Sequence, residues 1–132
     1  MKLANFDFRI WDNSTNKFIE LSISDNIRAL PRKNDDLVLE LWSGFYDCKG
    51  KKIYEGDIVK YDSRTKPLVV VFERNTFYIV DTNIEKHLQV DCATRLQAIY
   101  DNRSNGYTNQ NLECLEVLGN IHENADLLKE QK

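Results

Sequence analysis

The stretch Ile53-Tyr54-Glu55-Gly56-Asp57-Ile58-Val59 decides how the fold is interpreted. A single glycine stands between two carboxylates, and aliphatic residues follow at once. Glycine adopts a positive φ at little cost, so we interpret Gly56 as part of a tight turn that leads into the first strand of a small barrel. The alternative is that Glu55 and Asp57 form a metal-binding or general-base pair. Such a pair needs a third polar partner and a cleft, and the sequence places neither, which favours the structural interpretation.

Short alternating segments on both sides of this stretch predict further strands. Apolar residues alternate with polar ones at Phe6, Phe8 and Ile10, and a second strand is predicted over 17–23 after the polar turn 12–16. This pattern predicts a first hairpin. The remaining predicted elements are strands at 37–42, 57–61, 68–73, 76–81 and 112–121, a type I turn at 47–50 and a tight turn at 74–75.

Three segments have no clear strand pattern. Residues 24–36 and 101–111 are polar and predict loops, whereas 82–100 fits either a strand over 96–100 or a helical turn over 84–88. Asn124 is a favoured N-cap and predicts a terminal helix of one or two turns. The expected fold class is therefore mainly β, a β-rich α+β fold of short antiparallel strands with a short C-terminal helix.

Length and composition limit the class of protein. The 132 residues fit one domain, or two small β subdomains that share a core, the hairpin 6–23 and a barrel-like part 53–81. With 42% hydrophobic and 30% charged residues, the chain is not wholly disordered. The longest apolar run, 68–72, is too short to cross a membrane, and we expect a cytoplasmic protein because no apolar run of signal-peptide length begins the sequence. Three cysteines without a Cys-x-x-Cys motif indicate reduced thiols.

Three separated segments resemble one known family. They are Phe8-Arg9-Ile10-Trp11-Asp12, the segment from Leu41 to Val59, and the segment from Glu116 to Asn124. In this order they resemble the YopX family, small proteins of temperate phages and prophages of Gram-positive bacteria. The resemblance implies a mainly β fold with an SH3-like barrel element, and it implies no activity or cofactor. The sequence departs from the family pattern at Ser43, Phe45, His122 and Ala125, where the family usually has threonine, leucine, tyrosine and proline.

Aromatic and basic residues form the candidate interaction surface: Trp11, Trp42, Lys49, Lys51, Lys52 and Tyr54. The two tryptophans could stack on bases or on a partner's side chains. Each lies at the end of an alternating strand, however, which favours packing in the core or at its rim. The three lysines, with tyrosines nearby, could contact phosphate, although most lysine-rich turns are simply solvated.

The sequence predicts no catalytic, cofactor or metal site. His87 and Cys92 are five positions apart, and Cys114 and His122 are eight apart, whereas zinc sites use short paired spacings. A catalytic thiolate at Cys48 would need a stabilising neighbour, and the adjacent lysine points away if the segment is a strand. We therefore expect a non-enzymatic protein that binds another protein. Nucleic-acid binding through the lysine-rich turn is the alternative.

The predicted strand 37–42 also suggests a homo-oligomer. Leu37, Leu39 and Leu41 lie on one face and Val38 and Trp42 on the other, with Glu40 as the only interruption. A strand that is apolar on both faces has to be covered on both. We expect self-association through a surface that includes Trp42 or its neighbours. The competing account is that Leu127 and Leu128 of the terminal helix cover the second face within one chain.

The net charge of −3 argues against nucleic-acid binding, the alternative function, and this can be tested directly. Non-specific nucleic-acid binding depends on counterion release by a cationic surface, so we expect no oligonucleotide binding by fluorescence anisotropy in about 50 mM salt. Measurable affinity that falls steeply as salt is added would contradict this expectation and favour the alternative.

Overall fold

The computed structural model describes residues 2, 5–20, 35–61, 66–101, 111–112 and 114–129. Within these ranges, nine strands form a four-stranded sheet in the order β2-β1-β3-β4 and a five-stranded sheet in the order β8-β7-β6-β5-β9, with antiparallel pairing throughout. The strands are β1 (Phe8–Asp12), β2 (Lys17–Ile19), β3 (Leu37–Tyr46), β4 (Lys52–Tyr54), β5 (Asp57–Lys60), β6 (Leu68–Glu73), β7 (Thr76–Val80), β8 (Thr94–Arg95) and β9 (Glu116–Asn120). The mainly β prediction is confirmed.

The first hairpin forms as predicted. The carboxylate of Asp12 accepts hydrogen bonds from the backbone N–H and the hydroxyl of Ser14, at 2.9 and 2.6 Å, which closes the turn between β1 and β2. Ile10 lies opposite Ile19 and Trp11 opposite Phe18. The predicted continuation of the second strand over 21–23 and most of the predicted loop 24–36 lie outside the described residues.

Strand β3 is longer than predicted and joins two different partners. Its first half pairs with β1 and its second half with β4, with a register shift between Trp42 and Tyr46. Gly44, inside this shift, has a φ of 88°. Leu39 and Leu41 share one face with Ile10 and Phe8, whereas Glu40 lies on the opposite face beside Arg9.

The five-stranded sheet is a curled half-barrel, in agreement with the expected barrel element. The larger core cluster joins Val59, Val70, Ile79 and Val117 of this sheet to residues outside it, namely Ile53 of β4, Leu96, Leu112 and Leu115. Ile58, Val69 and Val80 form a second cluster, against which Leu128 packs. The C-terminal element, Ala125–Leu128, is a 3₁₀ helix rather than an α-helix. Its residue Leu128 packs on the five-stranded sheet.

The segment 82–100 contains two short helices, α1 (Lys86–Gln89) and α2 (Leu96–Asp101). The strand interpretation of 96–100 is wrong. Leu96 is fully buried, and Ile99 and Tyr100 pack against the same core cluster, which is the i, i+3 and i+4 spacing of a helix. Most of the predicted loop 101–111 lies outside the described residues. In the part of the chain that is described, no helix has the length and apolarity needed to cross a membrane.

The turn at Asp47 ties the two sheets together. Its buried carboxylate accepts hydrogen bonds from the N–H groups of Lys49 and Lys51 at 2.9 and 2.8 Å. The other carboxylate oxygen accepts from the N–H of Val117 in β9, also at 2.9 Å. The predicted turn is confirmed, and its first residue also connects β3 to the second sheet.

Gly56 has a φ of 86°, as the turn interpretation requires. A Cβ on Gly56 would lie 2.1 Å from a carboxylate oxygen of Glu40, which is itself ion-paired. We expect Gly56→Ala to lower the free energy of unfolding by about 3 kcal/mol or more, from backbone strain and displacement of a buried charge. Gly50→Ala is the matched control, because Gly50 has a φ of 80° and open space around its Cβ position. Equal losses in chemical denaturation would show that the Glu40 contact costs nothing.

The β6–β7 hairpin turns through Arg74 and Asn75, whose φ values are 53° and 58°. Two successive positive φ angles suit Asn-Gly better than Arg-Asn. We expect Arg74→Asn combined with Asn75→Gly to stabilise the protein by about 1 kcal/mol, measured by denaturation. Arg74→Ala, which keeps the unfavourable φ and removes the exposed ion pair to Asp91, should not stabilise it. A double variant no more stable than wild type would contradict the prediction.

Candidate functional site

The three family-like segments meet at a group of four charged or titratable side chains, which we call the buried ion cluster: Arg9, Glu40, Asp57 and His122. Arg9 comes from β1, Glu40 from β3 and Asp57 from the start of β5, and His122 follows β9. The cluster thus joins the four-stranded sheet to the five-stranded sheet.

Every oxygen of the two buried carboxylates has a partner. The Oε1 atom of Glu40 accepts from Arg9 Nε at 2.9 Å, and Oε2 lies 3.1 Å from His122 Nε2. The Oδ1 atom of Asp57 lies 2.8 Å from Arg9 Nη2, and Oδ2 accepts from the N–H of Tyr54 at 2.8 Å. Burial raises the pKa of Asp57, and the Arg9 charge opposes that rise. The carboxylates of the cluster are therefore fully paired by its other members and by the Tyr54 backbone.

Aromatic rings surround the cluster. Trp11 stacks on His122 at a centroid distance of 4.6 Å, and Phe18 meets the edges of both rings. The Arg9 guanidinium lies between the rings of Phe18 and Tyr54, 4.9 and 4.8 Å from their centroids. Trp11 is only 4% exposed, so its ring packs in the interior of the chain.

The chain segments that hold the cluster are hydrogen-bonded at the backbone. Gly56 receives the N–H of Ile121 on its carbonyl oxygen at 2.9 Å and donates its own N–H to Val70 at 2.8 Å. The side chain of Asn120 accepts from the N–H groups of His122 and Glu123, both at 3.0 Å, which shapes the turn after β9. These bonds fix His122 opposite Glu40.

The Glu55–Gly56–Asp57 segment is therefore a structural turn in this fold. Asp57 points to Arg9, while half-buried Glu55 has a raised pKa because of partial burial and the nearby Glu40 charge. Among the described residues, no three His, Cys, Asp or Glu side chains are arranged to hold a metal ion.

A second group, the rim cluster, lies on the β3–β4 pair and consists of Asp7, Trp42, Tyr46, Lys52 and Tyr54. Trp42 lies opposite Tyr54 and Tyr46 opposite Lys52, so all four belong to neighbouring cross-strand pairs. The Lys52 ammonium is 4.5 Å from the centroid of the Trp42 ring and 2.9 Å from the Asp7 carboxylate. The structure thus brings together three of the six predicted interaction residues.

Asp7 is the centre of the polar contacts in the rim cluster. It accepts a hydrogen bond of 2.5 Å from the Tyr54 hydroxyl as well as the one from Lys52. Partial burial acts to raise the pKa of Asp7, but these hydrogen bonds outweigh it and hold the pKa below its usual value. Burial and the Asp7 carboxylate raise the pKa of Tyr54.

The three lysines do not point to one shared anion site. Lys49 pairs with Glu116 at 2.8 Å and Lys52 pairs with Asp7, on different sides of the β3–β4 hairpin. Lys51 is exposed, and its N–H caps the Asp47 turn. Two of the three lysines therefore pair with carboxylates of the chain itself.

Sequence reasoning missed Glu40 and Arg9 as organising residues, and it identified Asp47 only as the start of a local turn. The sequence did contain one signal for Glu40, which is a charged residue within an otherwise apolar strand. In the sequence Glu40 only interrupts an apolar strand, whereas in the structure it is 2% exposed and contacts Arg9 and His122.

Comparison with solved structures supports the fold. The crystal structure of protein EF1440 from Enterococcus faecalis is similar, with a TM-score of 0.55 and 18% sequence identity over 94% of this chain and 98% of that chain. No curated protein matches the chain.

Comparison with protein families confirms the resemblance seen in the sequence. The family model described as "YopX protein" matches residues 7–129, which include all four members of the buried ion cluster and the whole rim cluster. With nearly its full length matched, the chain belongs to the YopX family.

Proposed function

We propose that this protein is a non-enzymatic accessory protein of a phage or prophage that acts in the bacterial cytoplasm by binding another protein. The main observation behind the proposal is that the carboxylates of the buried ion cluster are fully paired within the chain. The family-like segments supply Arg9, Asp57 and His122, and Glu40 lies directly before the second of them. All four carboxylate oxygens have partners within the chain. A catalytic base or metal ligand needs a free oxygen that faces a substrate or an ion.

The surface best suited to a protein partner is the outer face of the four-stranded sheet, defined by Phe6, Phe8, Leu37, Leu39 and Leu41. Leu41 lies opposite Phe8, and the Phe6 and Phe8 rings are 5.6 Å apart. Phe6 and Leu39 are each 44% exposed. Ile10, opposite Leu39 on the same face, is 3% exposed, so the exposed apolar groups lie on either side of it. Exposed apolar side chains grouped on one sheet are typical of a protein–protein interface.

A second copy of the chain is the simplest partner for this face, because symmetric dimers are the commonest assemblies. Trp42 itself is a weaker anchor than the strand pattern suggested. Its ring carries the Lys52 ammonium, and its indole N–H donates to the Phe45 carbonyl at 3.0 Å. Leu128 packs on the five-stranded sheet, so the competing account based on the terminal helix gains no support for that residue. Leu39 is the neighbour of Trp42 that is most accessible to a partner.

Light scattering tests self-association. We expect wild-type protein at tens of micromolar to exceed the monomer mass and Leu39→Lys to return to it, because a charge would be buried in the interface. Leu88→Lys is the matched control, since Leu88 is 41% exposed on α1, away from the outer face. A monomeric wild type would reject self-association.

Affinity capture with the same variants tests the wider proposal of a protein partner. A protein that co-purifies with wild type and with Leu88→Lys, but not with Leu39→Lys, would support binding through the outer face. Recovery of identical proteins with all three baits would contradict it, and recovered nucleic acid would favour the alternative function.

A further inference from the structure

Two exposed cysteines lie on neighbouring turns. Cys48 follows Asp47 in the turn between β3 and β4, where the Gly50 N–H donates to the Asp47 carbonyl at 3.0 Å. Cys114 lies in the turn before β9, where the Leu115 N–H donates to the Leu112 carbonyl, also at 3.0 Å. The N–H of Cys48 donates to the Leu115 carbonyl at 2.8 Å, so the two turns are in direct backbone contact.

The residues on each side of Cys48 hold this contact in place. The Asp47 carboxylate accepts the N–H of Val117, and the Lys49 ammonium lies 2.8 Å from the Glu116 carboxylate. Three successive residues of one turn therefore contact three successive residues of the other segment, immediately after Cys114. A disulfide needs Cα atoms about 4.4–6.8 Å apart, and hydrogen-bonded backbone segments provide separations of this order.

We propose that Cys48 and Cys114 form an oxidisable thiol pair, which a low-molecular-weight disulfide converts into an intramolecular disulfide bond. One protein thiolate attacks the small disulfide, forms a mixed disulfide and releases one small thiolate. The second protein thiolate then attacks the protein sulfur of the mixed disulfide and releases the other small thiol. Two protein thiols lose two electrons and two protons, and the small disulfide is reduced to two thiols.

The surroundings of the pair set the rate of this exchange. Partial desolvation and the carboxylates of Asp47 and Glu116 raise the pKa of Cys48. Desolvation and, in addition, the charge on Cys48 raise the pKa of Cys114. Because the thiolate is the attacking species, exchange should be slow at neutral pH and faster in alkaline buffer.

The bond would fasten the Asp47 turn to the segment that enters β9. It would close a loop that contains β4 to β8, and closing a long loop restricts the unfolded chain. The disulfide would then hold together the same two segments that the contacts of Asp47 and Lys49 already join.

Oxidised glutathione is the probe for the test, and peptide mapping without reductant is the readout. In wild-type monomer we expect a Cys48–Cys114 cross-link, two fewer free thiols and a higher melting temperature. Cys92→Ser is the control that should keep the cross-link, because the Cys92 N–H donates to the Leu88 carbonyl of α1 and to neither turn of the pair. Cys48→Ser and Cys114→Ser should each abolish both the cross-link and the rise in melting temperature.

Several outcomes would overturn the proposal. It would be overturned if glutathione adducts were spread equally over the three cysteines. A cross-link that involves Cys92 would also contradict it, as would disulfides formed only between molecules. Since the single serine variants change exposed side chains, they should fold like wild type under reducing conditions, which circular dichroism can verify.

Discussion

The Glu40 carboxylate is the contact on which the two sheets depend. One of its oxygens binds the Arg9 guanidinium and the other lies against His122, while Gly56 leaves just enough room for it. These partners come from β1, from the turn before β5 and from the turn after β9. A buried carboxylate without such partners would be strongly destabilising, so the sheets have to meet in the one arrangement that brings Arg9 and His122 to it.

This arrangement explains why the polar residues of the family-like segments are where they are. Arg9 is shared between Glu40 and Asp57, and its planar guanidinium also fills the space between two aromatic rings. His122 provides an aromatic surface for Trp11 and a nitrogen that faces Glu40. Buried ionic groups of this kind contribute more to the specificity of an arrangement than to net stability, and we infer that this is their role here.

The local sequence pattern was sufficient to predict the elements that are stabilised by interactions between residues close in sequence. The first hairpin, the Asp47 turn, the two-residue turn at Arg74 and the positive φ of Gly56 all follow from residue type and spacing. The function of Glu40 could not be read in the same way, because its partners are 31 and 82 positions away. The bond from Val117 to Asp47 spans 70 positions. The alternation at 96–100 misled because Leu96 and Tyr100 suit a strand and a helix equally until the core is known.

The two sides of the four-stranded sheet differ in how their side chains are paired. The rim cluster satisfies most of its charge internally, since Asp7 binds both Lys52 and Tyr54. The outer face of the four-stranded sheet has no comparable pairing, because aliphatic and aromatic side chains have no polar groups to satisfy. Burial of such side chains against a partner is favourable in proportion to the apolar area removed from water. The polar junction therefore fixes how the two sheets meet, and the apolar face on the other side of the same strands is the surface from which the proposed protein binding would remove apolar area.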